Sequence, residues 1–547
     1  MAVLEVARRV RETMPGVFFA QVNRLGDRVA LRSKHYGVWR PVSWREYGER
    51  VRAVAAGLMA MGLGRGERVG LIGENHPEWL YCDLGIQTAG GVTTAIYTTS
   101  SPGQVAYILS HSEARIYIVE NEEQLDKVLE VRERLPDLQH IVVMDREGLR
   151  GFRDPQVTFL DELMAQGAEA AREAPRRVDE RMAEISPDDM AVLIYTSGTT
   201  GPPKGAMLTH RNLVWTADAL VRANPCYETD EVLSFLPLSH IAERLLSVFV
   251  AVRSGYAVNF CENLDTVAQN LAEVSPTVLF AVPRIWEKLY SAVTLRMQET
   301  DPIKRAAYAL ALWVGRARAE AVLARRPVPP ALRAAYALTH ALVLMPLRRR
   351  IGLDRVRLVL SGAAPIAPDI LWYFWSLGVP IREIYGQTEG SGPTTVHQGD
   401  DIRLGTVGKP LPGVEVRLAP DGEILVRGGN VFAGYFKDPA ATEAALADGW
   451  LHSGDIGEFD ADGYLRITDR QKDIFITAAG KNIAPQYIEN RLKFSPYIND
   501  AVVIGDGRRY LVALIVIDEE NVTKWAQDRR LPFTTYGDLA ANPEVRA

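Results

Sequence analysis

The chain has 547 residues, of which 47% are hydrophobic and 24% charged, and a formal net charge of −6. That length calls for several domain-sized units rather than one, and the acidic balance excludes a general nucleic-acid footprint. No uncharged apolar run is long enough for a spanning helix, and the charged start Met1-Ala2-Val3-Leu4-Glu5-Val6-Ala7-Arg8-Arg9 has no apolar core of the kind a secretory signal needs.

Strand and helix signals alternate along the first part. Val29–Arg32 and Val38–Val42 flank the turn-prone His35-Tyr36-Gly37, which predicts a hairpin with an edge strand at Pro41. Ser43-Trp44-Arg45-Glu46 spells a capping box, and a helix is predicted from there to Met61. Arg68–Ile72 reads as a strand, Pro77–Ala89 as a helix and Val92–Tyr97 as a strand, and Ser101-Pro102-Gly103-Gln104 opens a further helix. Ala114–Val119 and His140–Met144 are further strands around a charged helix. This βαβ alternation predicts mainly parallel sheets covered by helices. Residues 291–350 are rich in Ala, Leu and Arg, helical, and broken at Pro327, Pro329 and Pro330. The simplest reading is a helical pair packed on the core. A second is a basic amphipathic surface touching a membrane, given Arg325-Arg326 and Arg348-Arg349-Arg350. Beyond Gly405 the texture turns β-rich, with hairpins at Asp421-Gly422 and after Asp460-Ala461-Asp462-Gly463. The charged run Asp469–Asp473 marks a linker to a last α+β piece. Cys82, Cys226 and Cys261 are scattered without metal spacing, which fits a reducing cytoplasm.

The most informative segment is Tyr195-Thr196-Ser197-Gly198-Thr199-Thr200-Gly201-Pro202-Pro203-Lys204-Gly205, directly after the apolar Met190–Ile194. Glycines let backbone N–H groups approach an anion, hydroxyls donate to it, and Lys204 supplies a mobile cation. A Walker loop is excluded, because Pro203 precedes Lys204 and Gly205 follows it. Four further clusters carry chemistry only weakly when taken singly. Ser361-Gly362-Ala363-Ala364-Pro365 leaves room for a flat ring at a strand's carboxyl end, or is a tight turn. In Tyr385-Gly386-Gln387-Thr388-Glu389-Gly390, Glu389 suits Mg2+ with waters and Tyr385 could stack on a base. Asp455, after Ser453-Gly454, could accept from a ribose diol, or simply start a turn. His240, in Pro237-Leu238-Ser239-His240-Ile241, is on its own more readily a core histidine than a catalyst.

Together and in this order, these segments resemble the adenylate-forming superfamily of acyl-CoA synthetases, luciferases and peptide-synthetase adenylation domains. The resemblance extends from about Phe18 to the end. It includes Gly405-Thr406-Val407-Gly408-Lys409-Pro410, Ser453-Gly454-Asp455, Asp469–Asp473 and Gly480-Lys481-Asn482-Ile483-Ala484-Pro485. The segments Leu236–Arg244 and Val282–Leu289, with the helical insert, resemble the long-chain fatty-acid CoA ligase branch. The resemblance implies an α/β fold. Residues 1–471 would form a large N-terminal part, with two helix-covered, mainly parallel sheets and a β-rich subdomain at about 405–471. Residues 472–547 would form a small α+β domain.

It further implies a ligase using ATP, Mg2+ and CoA. A fatty carboxylate is activated to acyl-AMP, and the acyl group then passes to CoA. Ser197, Gly198, Thr199, Thr200, Gly201 and Lys204 would hold phosphates, and Thr196 and Glu389 would hold Mg2+. Gly362, Ala363, Ala364, Tyr385, Gly386, Gln387 and Thr388 would frame adenine. Asp455, Ile467 and Arg470 would flank the ribose, His240 would face the acyl group, and Lys472 would be the hinge pivot. An acyl-AMP ligase serving a carrier protein, or a non-catalytic nucleotide- or acyl-binding protein, are the alternatives. The partners expected are a long-chain fatty acid, ATP and CoA, with no nucleic acid. The place expected is the cytoplasm or the inner face of a membrane, and the oligomeric state stays open, a dimer included. One departure stands out: the chain ends at Ala547, and no Pro-Thr-x-Lys-like motif follows Gly505. The expectation from that departure is a truncated small domain, weak adenylation and retained ATP binding.

Overall fold

The computed structural model describes residues 12–196, 202–470, 475–476, 482–483, 485–506, 508 and 510–546. A seven-stranded sheet runs through the first third. Arg68–Ile72, Val92–Ile96, Ile116–Val119, His140–Val143, Val157–Phe159 and Met190–Thr196 are parallel, and Lys204–Thr209 closes one edge antiparallel. Helices cover both faces, so the strand residues Val69, Leu71, Ile118 and Val142 are wholly buried. Each such side chain contributes roughly 2 kcal/mol of apolar burial.

The helix starts follow local chemistry. At Ser43 and at Ser101 a complete capping box forms with Glu46 and Gln104. These bonds satisfy N–H groups that the first turn leaves without partners. The predicted N-terminal hairpin forms between Val29–His35 and Val38–Ser43, with Tyr36 and Gly37 both at positive φ. Such a turn matches the right-handed twist of the strands.

A five-stranded sheet follows. Val278–Ala281, Leu358–Ser361 and Ile381–Gln387 are parallel, whereas Gly392–Val396 and Lys409–Pro410 return antiparallel. This sheet is therefore mixed, parallel on one side and antiparallel at its other edge. A third, four-stranded mixed sheet joins the N-terminal hairpin to Ala257–Phe260 and Glu231–Ser234. The hairpin's free edge needs a partner, and it takes one from a distant part of the chain. The β-rich unit has its own antiparallel sheet over Glu415–Leu418, Glu423–Arg427, Leu451–Phe459 and Leu465–Arg470, with Gly422 at positive φ in the Asp-Gly turn. The insert helices Pro302–Leu323 and Pro330–Thr339 lie near Pro368–Ser376, the first close enough that a Cβ on Gly315 would strike the Ser376 carbonyl.

A buried polar cluster around Asp83 fastens these layers. Arg244 and Asp83, both fully buried, form an ion pair that ties helix Ile241–Arg244 to helix Pro77–Thr88. Thr93 and Gln87 donate to the same Asp83 carboxylate at 2.7 and 2.9 Å. All three cysteines are buried and unbridged, and burial pushes the Cys226 and Cys261 thiols up to about 12.

Candidate active site

The hairpin of Met190–Thr196 and Lys204–Thr209 sets Thr196 directly opposite Lys204. The intervening Ser197, Gly198, Thr199, Thr200 and Gly201 lie outside the described residues. The two ends they connect open onto a cleft of about 1580 Å³. Across that cleft stands Glu389, in the short turn after strand Ile381–Gln387. The Thr196 hydroxyl donates to Glu389 Oε1 at 3.4 Å, and Tyr435 donates to the same oxygen at 2.8 Å. Burial first, and then Glu389, push the Tyr435 hydroxyl well above its ordinary pKa, so it stays a donor. Lys204 Nζ lies 5.3 Å from the Tyr435 ring centre and 4.0 Å from Asp438 Oδ2. A cation, two carboxylates and two hydroxyls thus meet beside the paired residues Thr196 and Lys204. One carboxylate beside one hydroxyl, open to water, is a donor set that suits Mg2+, which keeps several waters of its own.

The wall beside this cluster is built from small residues. Strand Leu358–Ser361 ends at the cleft, and Gly362, Ala363 and Ala364 follow it. A Cβ on Gly362 would come within 2.7 Å of Ile384 Cγ2, and Ala363 sits at φ +67. That left-handed backbone costs a non-glycine residue energy, of the order stored at binding sites. The Ser361 hydroxyl is buried and has no hydrogen-bond partner among the described residues. Tyr385, Gly386, Gln387 and Thr388 line the same wall. The Tyr385 hydroxyl donates to Asp455 Oδ2 at 2.7 Å, joining the five-stranded sheet to strand Leu451–Phe459. Asp455 pairs in register with Arg470, whose side chain lies outside the description, and Ile467 also faces the cleft. Lys472 lies outside the described residues.

His240 also faces the cleft, at the N-cap of helix Ile241–Arg244. Its Nδ1 accepts from the Ala242 amide at 3.1 Å, and burial lowers its pKa. The ring is therefore neutral with its proton on Nε2, which makes it a donor. Leu245, Leu246, Leu220 and Phe280 give the cleft an apolar side next to His240.

Three residues near this chemistry escape a reading of the sequence. Tyr435 and Asp438 belong to Gly434-Tyr435-Phe436-Lys437-Asp438-Pro439, whose aromatic and charged spelling is the one local hint of them. Glu383 lines the cleft, accepts from the Gly405 amide at 2.9 Å, and is pushed by burial up to about 8. No local pattern distinguishes it from an ordinary strand residue.

Comparison with known proteins points the same way. The AMP-binding enzyme family matches residues 18–436, and the AMP-binding enzyme C-terminal domain matches residues 472–532. The long-chain-fatty-acid–CoA ligase ACSBG2 of Xenopus laevis is 37% identical over 527 residues, covering 94% of this chain and 70% of its own length. The long-chain-fatty-acid–CoA ligase FadD15 of Mycobacterium bovis is 37% identical over 514 residues, covering 93% and 83%. Among solved structures, the anthranilate CoA ligase AuaEII in complex with anthranoyl-AMP superposes with a TM-score of 0.73 at 22% identity, over 96% of this chain and 91% of the other. The carboxylic acid reductase didomain of Segniliparus rugosus in complex with AMP gives 0.73 at 22%, over 98% and 76%.

Proposed function

The chain belongs to the AMP-binding enzyme family, and from that premise we propose that it is an AMP-forming long-chain fatty-acid–CoA ligase. The observation that carries this reading is the meeting of Thr196, Glu389, Tyr435 and Lys204 beside the Tyr385–Asp455 pair. A carboxylate oxygen of the fatty acid attacks the α-phosphorus of ATP, and the bond to the bridging oxygen breaks to release pyrophosphate. The CoA thiolate then attacks the carbonyl carbon of acyl-AMP, and AMP leaves with the oxygen. The first step is mostly positioning and charge neutralisation.

Each group has work that suits its place. Lys204, with the hydroxyls and amides of 197–201, takes the β- and γ-phosphates. Mg2+ held by Glu389 and Thr196 would neutralise charge on the departing pyrophosphate. The small wall of Gly362, Ala363 and Ala364 admits the adenine ring, with Tyr385 and the Gly386-Gln387-Thr388 backbone against it. The Ser361 hydroxyl gains a partner if a polar edge of the ligand reaches it. Asp455, steadied by Tyr385, accepts from the ribose. Neutral His240 presents an N–H to the acyl carboxylate, and the apolar side formed by Leu220, Leu245, Leu246 and Phe280 receives the chain. Lys472 would be the pivot between residues 1–471 and the small domain.

The test is a scan of fatty acids from four to twenty carbons with ATP, Mg2+ and CoA, following acyl-CoA, AMP and pyrophosphate together. Stoichiometric AMP and acyl-CoA with the highest kcat/KM above about twelve carbons is expected. Activity confined to aromatic or short acids, or AMP release that needs a carrier protein instead of CoA, would overturn the assignment.

A further inference from the structure

Between Asp301 and Asp354 the chain carries ten lysines and arginines and a single acid, Glu320. That is a local charge of +9 in a protein whose formal net charge is −6. The same segment bears several of the most exposed large apolar side chains. Ile303, Leu310 and Trp313 on helix Pro302–Leu323 are 82%, 55% and 69% exposed, and Leu338 and Leu342 on the following helical segment are 62% and 68% exposed. Single exposed apolar residues are ordinary. Five of them on two adjoining helices, in a region almost without acids, are not.

The inner faces of these helices already have partners. Tyr308 and Tyr373 share a hydrogen bond of 2.9 Å, Gly315 abuts the Ser376 backbone, and Arg318 lies over the Tyr336 ring at 4.5 Å. Ile303, Leu310, Trp313, Leu338 and Leu342 therefore face away from the core. Some cations are committed: Arg316 pairs with Glu320 at 3.0 Å, Arg325 pairs with Asp401, and Arg348 turns inward to the Leu353 carbonyl. Arg326, Arg333 and Arg350 are exposed and have no ion pair among the described residues.

We propose that this face, over residues 302–350, docks on the surface of an anionic lipid bilayer. Trp313 and the leucines would enter the headgroup boundary, and the arginines would meet acidic headgroups. The pattern of apolar side chains flanked by arginines, on a helix of 22 residues, is that of an interfacial helix. No described helix is long and apolar enough to cross a membrane, so this contact lies on the surface. A nucleic acid would be met by the cations alone and would leave Ile303, Trp313 and Leu342 in water; charge and apolar exposure together favour lipid.

Flotation of the full chain with vesicles decides the matter. Binding is expected to phosphatidylcholine vesicles containing 30% phosphatidylglycerol and not to phosphatidylcholine alone, and to fall several-fold between 0.1 and 0.5 M NaCl. The triple variant Arg326→Gln/Arg333→Gln/Arg350→Gln should bind about a hundred-fold more weakly, on the order of five-fold per arginine. Brominated lipid should quench tryptophan emission in the native chain and less in Trp313→Phe. A thermal melt within a few degrees of the native chain's serves as the check that each variant is folded. Equal binding to neutral and anionic vesicles, no binding at all, an unaffected triple variant, a gel shift with RNA or DNA in place of flotation, or a dimer that Trp313→Ala dissociates would each overturn the proposal. The ligase reading stands apart from it, since a chain that floats but makes no acyl-CoA fails that reading alone.

Discussion

Glu243 is a buried carboxyl that the proposed chemistry does not touch. Ser234 Oγ, Ser247 Oγ and the Leu236 amide donate to it at 2.7, 2.5 and 3.3 Å. Asn75 extends the network, donating to Ser234 Oγ at 2.8 Å and to the Leu236 carbonyl at 2.7 Å. These bonds fix the loop that carries His240 into the cleft. Burial pushes the Glu243 carboxyl up to about 7. Because the folded value lies above the ordinary 4.5, the folded chain keeps a proton that the unfolded chain releases between those two values. The stability tied to that proton is complete below about pH 4.5 and is lost as pH rises toward 7. Glu243→Gln, which cannot ionise, should therefore flatten the fall in Tm between pH 5 and 8 by roughly 2–4 °C. A fall as steep as that of the native chain would show that another group sets it. The contrast with Glu389 explains what a sequence can reveal at this scale. Glu389, Tyr385 and Lys204 stand in short segments whose glycines and hydroxyls already single them out in the sequence as candidates for a ligand site. Tyr435 reaches Glu389 across 46 positions of chain, so its own segment offers only an aromatic and charged spelling as a hint. The donors to Glu243 lie within nine residues of it, but they converge on it only once the turn before helix Ile241–Arg244 has folded.

At the scale of elements, the hairpin of Met190–Thr196 and Lys204–Thr209 is held from outside as well as from within. Strand Lys204–Thr209 is an edge of the seven-stranded sheet, and an exposed edge needs covering. Residues 433–436 cover it: the Ala433 amide donates to Met207, the Met207 amide to Gly434 and the Phe436 amide to Gly205, at 2.8 to 2.9 Å. Tyr107 adds a bond to the Pro203 carbonyl at 3.1 Å, and His111 Nδ1 lies 2.7 Å from the Tyr195 hydroxyl. The covering segment is the one that delivers Tyr435 to Glu389 and Asp438 to Lys204. Gly434 makes its bend possible at φ +122, where a Cβ would come within 2.5 Å of Thr442 Cγ2. Gly434→Ala should thus shift Tyr435 and lower acid-dependent pyrophosphate exchange by at least about ten-fold, with Tm changed by only a few degrees. Exchange at the native rate would show that the covering segment does not position the site. The capping box at Ser43, the helix start at Ser101 and the Asp-Gly turn at Gly422 are legible because a few consecutive residues determine each of them. The covering segment is not, because its geometry is a pairing between residues more than 200 positions apart.

At the scale of the whole molecule, the described contacts between the large part and the small domain are thin and mostly polar. Tyr290 stacks on Phe494 with ring centres 5.1 Å apart. Arg284 lies 3.8 Å from Asp518 and also reaches Asn499, and Lys524 pairs with Glu299. An aromatic pair contributes about 1 kcal/mol beyond its burial, and half-exposed ion pairs contribute less and are screened by salt. A surface of this kind holds one arrangement only weakly, and relative motion of the two bodies is the default expectation for it. Two-step ligation at a single cleft needs that motion, since Glu489 and Lys493 of the small domain already line the cleft that the acyl-AMP would occupy. Tyr290→Ala should therefore loosen the pair without unfolding either body. In small-angle scattering the distance distribution should broaden and extend, more so at 0.5 M NaCl than at 0.05 M, while a thermal transition of the large part stays within a few degrees. The two half-reactions should then change unequally, because only one of them can use the arrangement that Tyr290 and Phe494 hold. If scattering is identical in the variant and at both salt concentrations, the bodies are locked by something stronger than these contacts, and a hinge at Lys472 has no room to act.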